Sequence, residues 1–203
     1  MPRLAGQVDR AKAEAMLVAA GEVISERGFG APVEAIARRA GVSKQTLYNH
    51  YGGKAGLIRA LIGRWVDEVT APLGDHQPEP EAALKALATV IMTAQLAPTT
   101  ISLTRAVIQG ATDMPEVAHA MYEAGSVATR RRIADFLKAE TAAGRLAVDD
   151  AEEAAEFFTA MVAARQMRAL LGLDPGNEPD KIAKLSAHIA HRFVAAYAPK
   201  RQH

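Results

Sequence analysis

The chain has 203 residues, 49% of them hydrophobic and 23% charged, which is ordinary globular usage and excludes a disordered, fibrous or collagen-like chain. It contains no cysteine, so a disulfide framework and a thiolate metal site are both excluded. The net charge of +1 conceals an asymmetry: residues 1–64 hold ten Lys/Arg against five Asp/Glu, and the remainder holds fourteen against eighteen. A basic head on an acidic body suits a head that meets a polyanion.

The N-terminal residues Met1-Pro2-Arg3-Leu4-Ala5-Gly6-Gln7 lack the apolar core of a signal peptide, and no run of about 18 apolar residues could span a bilayer. The expectation is a cytoplasmic protein without a membrane partner. Alanine is abundant and β-branched runs are rare, which favours helix over sheet.

In chain order, Met16, Leu17, Ala20, Val23 and Ile24 recur at helical spacing and end before Gly28. Val33, Ile36, Ala37 and Ala40 form a second apolar face, with Pro32 expected in the first turn and Gly41 at the end. A short third helix is expected from the N-cap Ser43 to about His50. A fourth runs from Lys54 through Leu57, Ile58, Leu61, Ile62 and Trp65 to about Thr70. The stretch Pro72-Leu73-Gly74-Asp75-His76-Gln77-Pro78-Glu79-Pro80 reads as a linker. Beyond it, helices are expected at 81–96, 98–110, 115–143, 150–172 and 179–198, with Asp149 and Glu152 forming a capping arrangement at the fourth of these. The fold class is therefore all-α, with about nine helices.

The segment Ile36-Ala37-Arg38-Arg39-Ala40-Gly41-Val42-Ser43-Lys44-Gln45-Thr46-Leu47-Tyr48-Asn49-His50-Tyr51 carries the chemistry. A helix-turn-helix needs two helices braced at a fixed angle across a sharp turn, and Gly41 supplies a residue that tolerates positive φ there. At 100° per residue, Leu47 and Tyr51 share the inward face of the second helix. Lys44, Gln45, Thr46, Tyr48 and Asn49 then face outward or flank that face, with donors and acceptors that read base edges and grip phosphates. The same polar residues could be no more than the solvated face of a surface helix. The glycine turn, the serine cap, the apolar positions and the basic balance together favour DNA binding.

The stretch 16–57 resembles the DNA-binding domain of the TetR family of repressors, and Gly41 to Lys54 follows that family's signature nearly position by position. The resemblance implies an N-terminal three-helix helix-turn-helix domain, 1–54, and a C-terminal helical domain for effector binding and dimerisation, 55–203. It implies that Lys44, Gln45 and Tyr48 contact bases or groove. It further implies that Thr46, Asn49, His50 and Lys54 sit at backbone-contacting positions beside the cap Ser43, and that Tyr51 packs in the domain core. The family usually has Thr or Ser near the start of the second helix. Phe29-Gly30-Ala31-Pro32-Val33 has no hydroxyl there, which implies a shallower salt dependence, by roughly 0.9 log units per lost phosphate contact per decade of salt.

The implied partners are a double-stranded DNA operator, a second copy of the chain and a small hydrophobic effector of unknown identity. Met and aromatic positions at helical spacing are usually core, yet methionines also suit adaptable apolar cavities. The candidates are Trp65, Met92, Leu103, Ile108, Met121, Tyr122, Phe136, Phe158 and Met161, with Arg165 or Arg105 as a polar anchor. Phe158, Val162, Ile189 and Phe193 are the candidate dimer contacts. His188 and His191 lack a third ligand at a matching spacing, so no metal and no cofactor is expected. No nucleophile constellation, phosphate loop or HExxH occurs, so catalysis is not expected. The expected function is that of a repressor that binds a pseudo-palindromic operator as a homodimer and is released by the effector. The alternative is a ligand-independent DNA-binding factor or an activator of the same fold.

Overall fold

The computed structural model describes residues 5–74 and 79–199, with 5–9 as backbone alone; Asp75-His76-Gln77-Pro78, the middle of the expected linker, lies outside the described residues, as do Met1 to Leu4. Among the described residues the protein is all-helical. Its elements are α1 (Ala5–Arg27), α2 (Val33–Arg39), α3 (Lys44–Tyr51), α4 (Lys54–Thr70), a 3-10 turn at Ala71–Leu73, α5 (Pro80–Gln95), α6 (Pro98–Gly110), α7 (Pro115–Tyr122), a π-helical segment at Glu123–Val127, α8 (Ala128–Ala142), α9 (Ala151–Ala163), α10 (Gln166–Leu170) and α11 (Pro179–Ala196). No single described helix is long and apolar enough to cross a membrane.

Two expected helices are each broken in two. The run 115–143 is interrupted by the π segment, which contains Gly125-Ser126, a pair that weakens helix propagation. Gly125 is buried, and a Cβ there would come within 3.4 Å of Ile62 Cγ2, so the bulge sits where the backbone passes close to α4. The run 150–172 breaks at Ala164-Arg165, where the sequence carries neither proline nor glycine. There the Arg165 guanidinium donates to the carbonyl oxygen of Gly176 at 2.7 Å, a tertiary bond that no local pattern announces.

Two helix starts also differ from expectation. Pro32 is the N-cap of α2 rather than part of its first turn, in extended conformation and with no side-chain bond to the helix. The cap of α9 is Asp150, not Asp149: one Asp150 carboxylate oxygen accepts from the N–H groups of Glu152 and Glu153, both at 3.0 Å. Asp149 instead accepts from the Asp150 N–H.

The chain divides into two compact units: the described residues of Met1–Trp65 with Ser102–Gly125, and those of Val66–Ile101 with Ser126–His203. The first does not stop at residue 54. Leu57, Ile58 and Val117 are buried in one core with Met16, Ala20, Ile24, Ile36 and Leu47, so the first part of α4 and all of α7 belong with the N-terminal helices. The second unit centres on Leu84, Leu87 and Met92 of α5, Ile133 and Leu137 of α8, Phe158 of α9, and Ile182, Ser186 and Phe193 of α11, all buried. Phe158 meets Phe193 edge-on at 5.2 Å between ring centroids, a preferred aromatic geometry. The Ser186 hydroxyl, fully enclosed, donates to Met92 Sδ at 3.7 Å.

Candidate nucleic-acid interface

The turn between α2 and α3 closes through backbone bonds. Ala40 N–H donates to Ile36 O, Gly41 N–H to Arg38 O and Val42 N–H to Ala37 O, at 2.9, 3.2 and 3.0 Å. Gly41 takes φ 66°, a left-handed conformation in which a Cβ is strained, so the glycine is what permits so tight a turn. Ser43 then caps α3: its Oγ accepts from the Thr46 N–H at 3.0 Å and lies 2.8 Å from Thr46 Oγ1.

Leu47 anchors α3 by complete burial. With that face fixed, the period of 3.6 turns Lys44, Gln45, Tyr48, Asn49 and His50 to solvent, Tyr48 being 41% exposed. Thr46 is half-buried, its hydroxyl occupied by Ser43. Gln45 Nε2 donates to Asn49 Oδ1 at 2.7 Å, one turn along the helix. Tyr51 packs against the core of the first unit while its hydroxyl donates to the carbonyl of Ala13 at 3.2 Å, and burial pushes its pKa up. Lys54 opens α4 half-buried; desolvation lowers its pKa, partly offset by the carboxylate of Glu116.

Three further residues shape this face and were not singled out from the sequence. Arg39 reaches from α2 to α1, donating from Nη2 to Glu26 Oε2 at 2.8 Å and from Nη1 to Glu22 Oε2 at 2.9 Å. Those carboxylates raise its pKa, led by the hydrogen bonds to Glu26, while Arg39 in turn holds Glu26 below its ordinary value. Gly56 sits in the first turn of α4 where an added Cβ would overlap the carbonyl oxygen of Tyr51, so α3 and α4 join with no room for a side chain. Glu34, in the first turn of α2, forms an ion pair with Lys44 at 2.5 Å. Its signal in the sequence was its isolation as a carboxylate within a basic stretch.

The pocket candidates, with Arg105 in the first unit, do not gather in one unit. Trp65, Leu103, Ile108, Met121 and Tyr122 belong to the first; Met92, Phe136, Phe158, Met161 and Arg165 belong to the second. Ile108 and Tyr122 are exposed, and Met92 and Phe158 are fully enclosed in the core of their unit. The four dimer candidates, Phe158, Val162, Ile189 and Phe193, are all buried within the protomer itself. All four face the chain's own core. Arg132 pairs with Asp67, and Nδ1 of His191, one of the two histidines noted in the sequence, lies 3.4 Å from Glu81 Oε1.

Comparison with known proteins agrees with this architecture. Residues 82–199 match the AefR-like transcriptional repressor C-terminal domain, and residues 16–61 match the bacterial regulatory proteins of the tetR family. A segment of 57 residues is 44% identical to the transcriptional activator FasR of Mycolicibacterium smegmatis; it covers 28% of this chain and 26% of that relative's length. The fold is similar to a TetR-family regulator structure from Mesorhizobium loti, with a TM-score of 0.74 and 23% identity over 94% of this chain and 98% of that one. It is also similar to the flavonoid-responsive regulator FrrA, with a TM-score of 0.68 and 29% identity over 93% and 98% of the two chains. With its N-terminal helix-turn-helix and the match over most of its length, the chain belongs to the TetR family of transcriptional regulators.

Proposed function

We propose that the protein is a repressor that binds a pseudo-palindromic operator as a homodimer and is released by a small hydrophobic effector. The observation that carries the reading is the face of α3: complete burial of Leu47 leaves Lys44, Gln45, Tyr48 and Asn49 exposed together on one side of a capped helix. Two such helices, one from each copy, reach successive major grooves when their centres lie about 34–36 Å apart. Lys44, Gln45 and Tyr48 read the groove; Ser43, Thr46, Asn49, His50 and Lys54 lie along the phosphates. In this reading residues 1–54 meet DNA and 55–203 respond to the effector.

The AefR-like match favours repression, because the domain it matches over residues 82–199 is that of a transcriptional repressor. The FasR match favours activation as a second reading, although it covers only 57 residues. Response to a ligand draws support from FrrA, which is flavonoid-responsive. An effector acts through its differential affinity for two conformations of the body. Since Phe158, Val162, Ile189 and Phe193 are enclosed, a partner copy meets their neighbours: Phe157 and Ala160 of α9, and His188, Arg192 and Ala195 of α11, all exposed.

A gel shift on the DNA upstream of the protein's own gene tests the reading, comparing wild type with Lys44→Ala and Tyr48→Ala. Each variant is expected to lose about 10–100-fold in affinity, the range of one good side-chain to base contact. Equal binding by all three would remove α3 from the interface. Release of the wild-type complex by a flavonoid, with no release of a control complex, tests the effector class.

A further inference from the structure

Glu34 is the only Asp or Glu between Glu26 and Asp67, a stretch that holds seven Lys and Arg. Affinity for phosphate gives no reason to place a carboxylate there. The structure puts it against the one Lys or Arg of α3: Lys44 Nζ lies 2.5 Å from Glu34 Oε1 and 5.6 Å from the centroid of the Tyr48 ring. The two helices of the helix-turn-helix are thus joined by an ion pair on their outer surface, at side chains 56% and 50% exposed. Each partner holds the other in its charged form, the hydrogen bond raising the Lys44 pKa and lowering that of Glu34.

We propose that Glu34 is a specificity-determining residue of the DNA interface, withholding the Lys44 ammonium from indiscriminate phosphate contact and yielding it to a base edge that offers matched acceptors. The proposal rests on the DNA-binding reading above. Neutralised by Glu34, Lys44 adds nothing to the counterion release that drives non-specific binding. An exposed ion pair of this kind is weak, so a properly placed acceptor pair such as guanine O6 and N7 can displace or share it. Displacing Glu34 leaves its carboxylate unpaired beside a polyanion in either case, and a phosphate at an arbitrary position lacks the matched acceptor pair that offsets this cost. The carboxylate therefore acts mainly by penalising the wrong sites, which is one of the two ways a binding protein gains selectivity.

The test compares wild type, Glu34→Gln and the double variant Glu34→Gln/Lys44→Gln on two duplexes: a random-sequence pool, and a duplex enriched from that pool by the wild-type protein. Thermal melting checks that each variant is folded. Releasing one lysine for one phosphate is expected to tighten Glu34→Gln binding to the random pool about eightfold per protomer at 0.1 M salt, and to steepen the log–log salt slope by about 0.9. The gain on the enriched duplex is expected to be smaller, and the double variant should lose the gain on the pool. Equal tightening on both duplexes, or none on either, overturns the proposal. A gain that persists without Lys44 also overturns it, because the carboxylate would then act by simple repulsion. Failure of folded wild type to retain or enrich any duplex is a different result: it removes the DNA-binding reading, and this proposal with it.

Discussion

Helices α3 and α9 carry equally clear apolar patterns, yet only one of them could be assigned a partner from its pattern. In α3 a single residue, Leu47, is wholly enclosed, and everything opposite it is polar and exposed. In α9 Ala154, Ala155, Phe158 and Val162 are enclosed, while Phe157 remains half exposed on the other side. A helix with one narrow buried face advertises its free face by default. A helix that is apolar on two sides does not say which side meets its own chain and which meets another. The difference is one of redundancy: polar residues have few reasons to be clustered, and apolar residues have many.

Substitutions can break this contrast or sharpen it. The largest effect is expected in the body, where Phe158→Ala removes an enclosed ring packed on Phe193 and should cost about 3–5 kcal/mol of stability. Thermal melting would show it. A loss below about 1 kcal/mol would mean that the α9 stripe is not structural core. Next is Gly56→Ala, which places a methyl group against the Tyr51 carbonyl and should cost about 1–3 kcal/mol. It should also weaken DNA binding, because α3 must shift; a variant that melts as wild type would show that the α3–α4 junction has slack. Third, Asp150→Ala removes the α9 cap at an expected cost of about 1 kcal/mol in chemical denaturation, whereas Asp149→Ala should be nearly silent. The reverse order would restore Asp149 as the cap.

The smallest effect is expected on the acid limb of the head. Glu26 has its pKa lowered in the folded state, chiefly by its hydrogen bond to Arg39. Its contribution to stability is therefore present above its ordinary value of 4.5 and is lost as the pH falls through the lowered one. Arg39→Met should reduce stability slightly near neutrality, and the gap from wild type should close as the pH is taken below that range. A gap that stays constant in acid would show that Arg39 braces α1 and α2 by packing rather than by charge.

The sequence by itself determined the all-helical class, the helix-turn-helix and the outward residues of α3. These features rest on local rules: a glycine able to take positive φ, a serine able to accept the Thr46 N–H, and a 3.6-residue period that fixes the face opposite Leu47. Tertiary structure decided which weak points in long helices become breaks and where apolar faces go. The bulge at Gly125 coincides with its close approach to Ile62, and the break at Arg165 with a bond to Gly176, eleven residues away in the chain. It also decided that Glu34 meets Lys44 and that Arg39 meets Glu22 and Glu26, pairings that exist only once the helices are folded against each other. Periodicity specifies a face. Only packing specifies what that face touches.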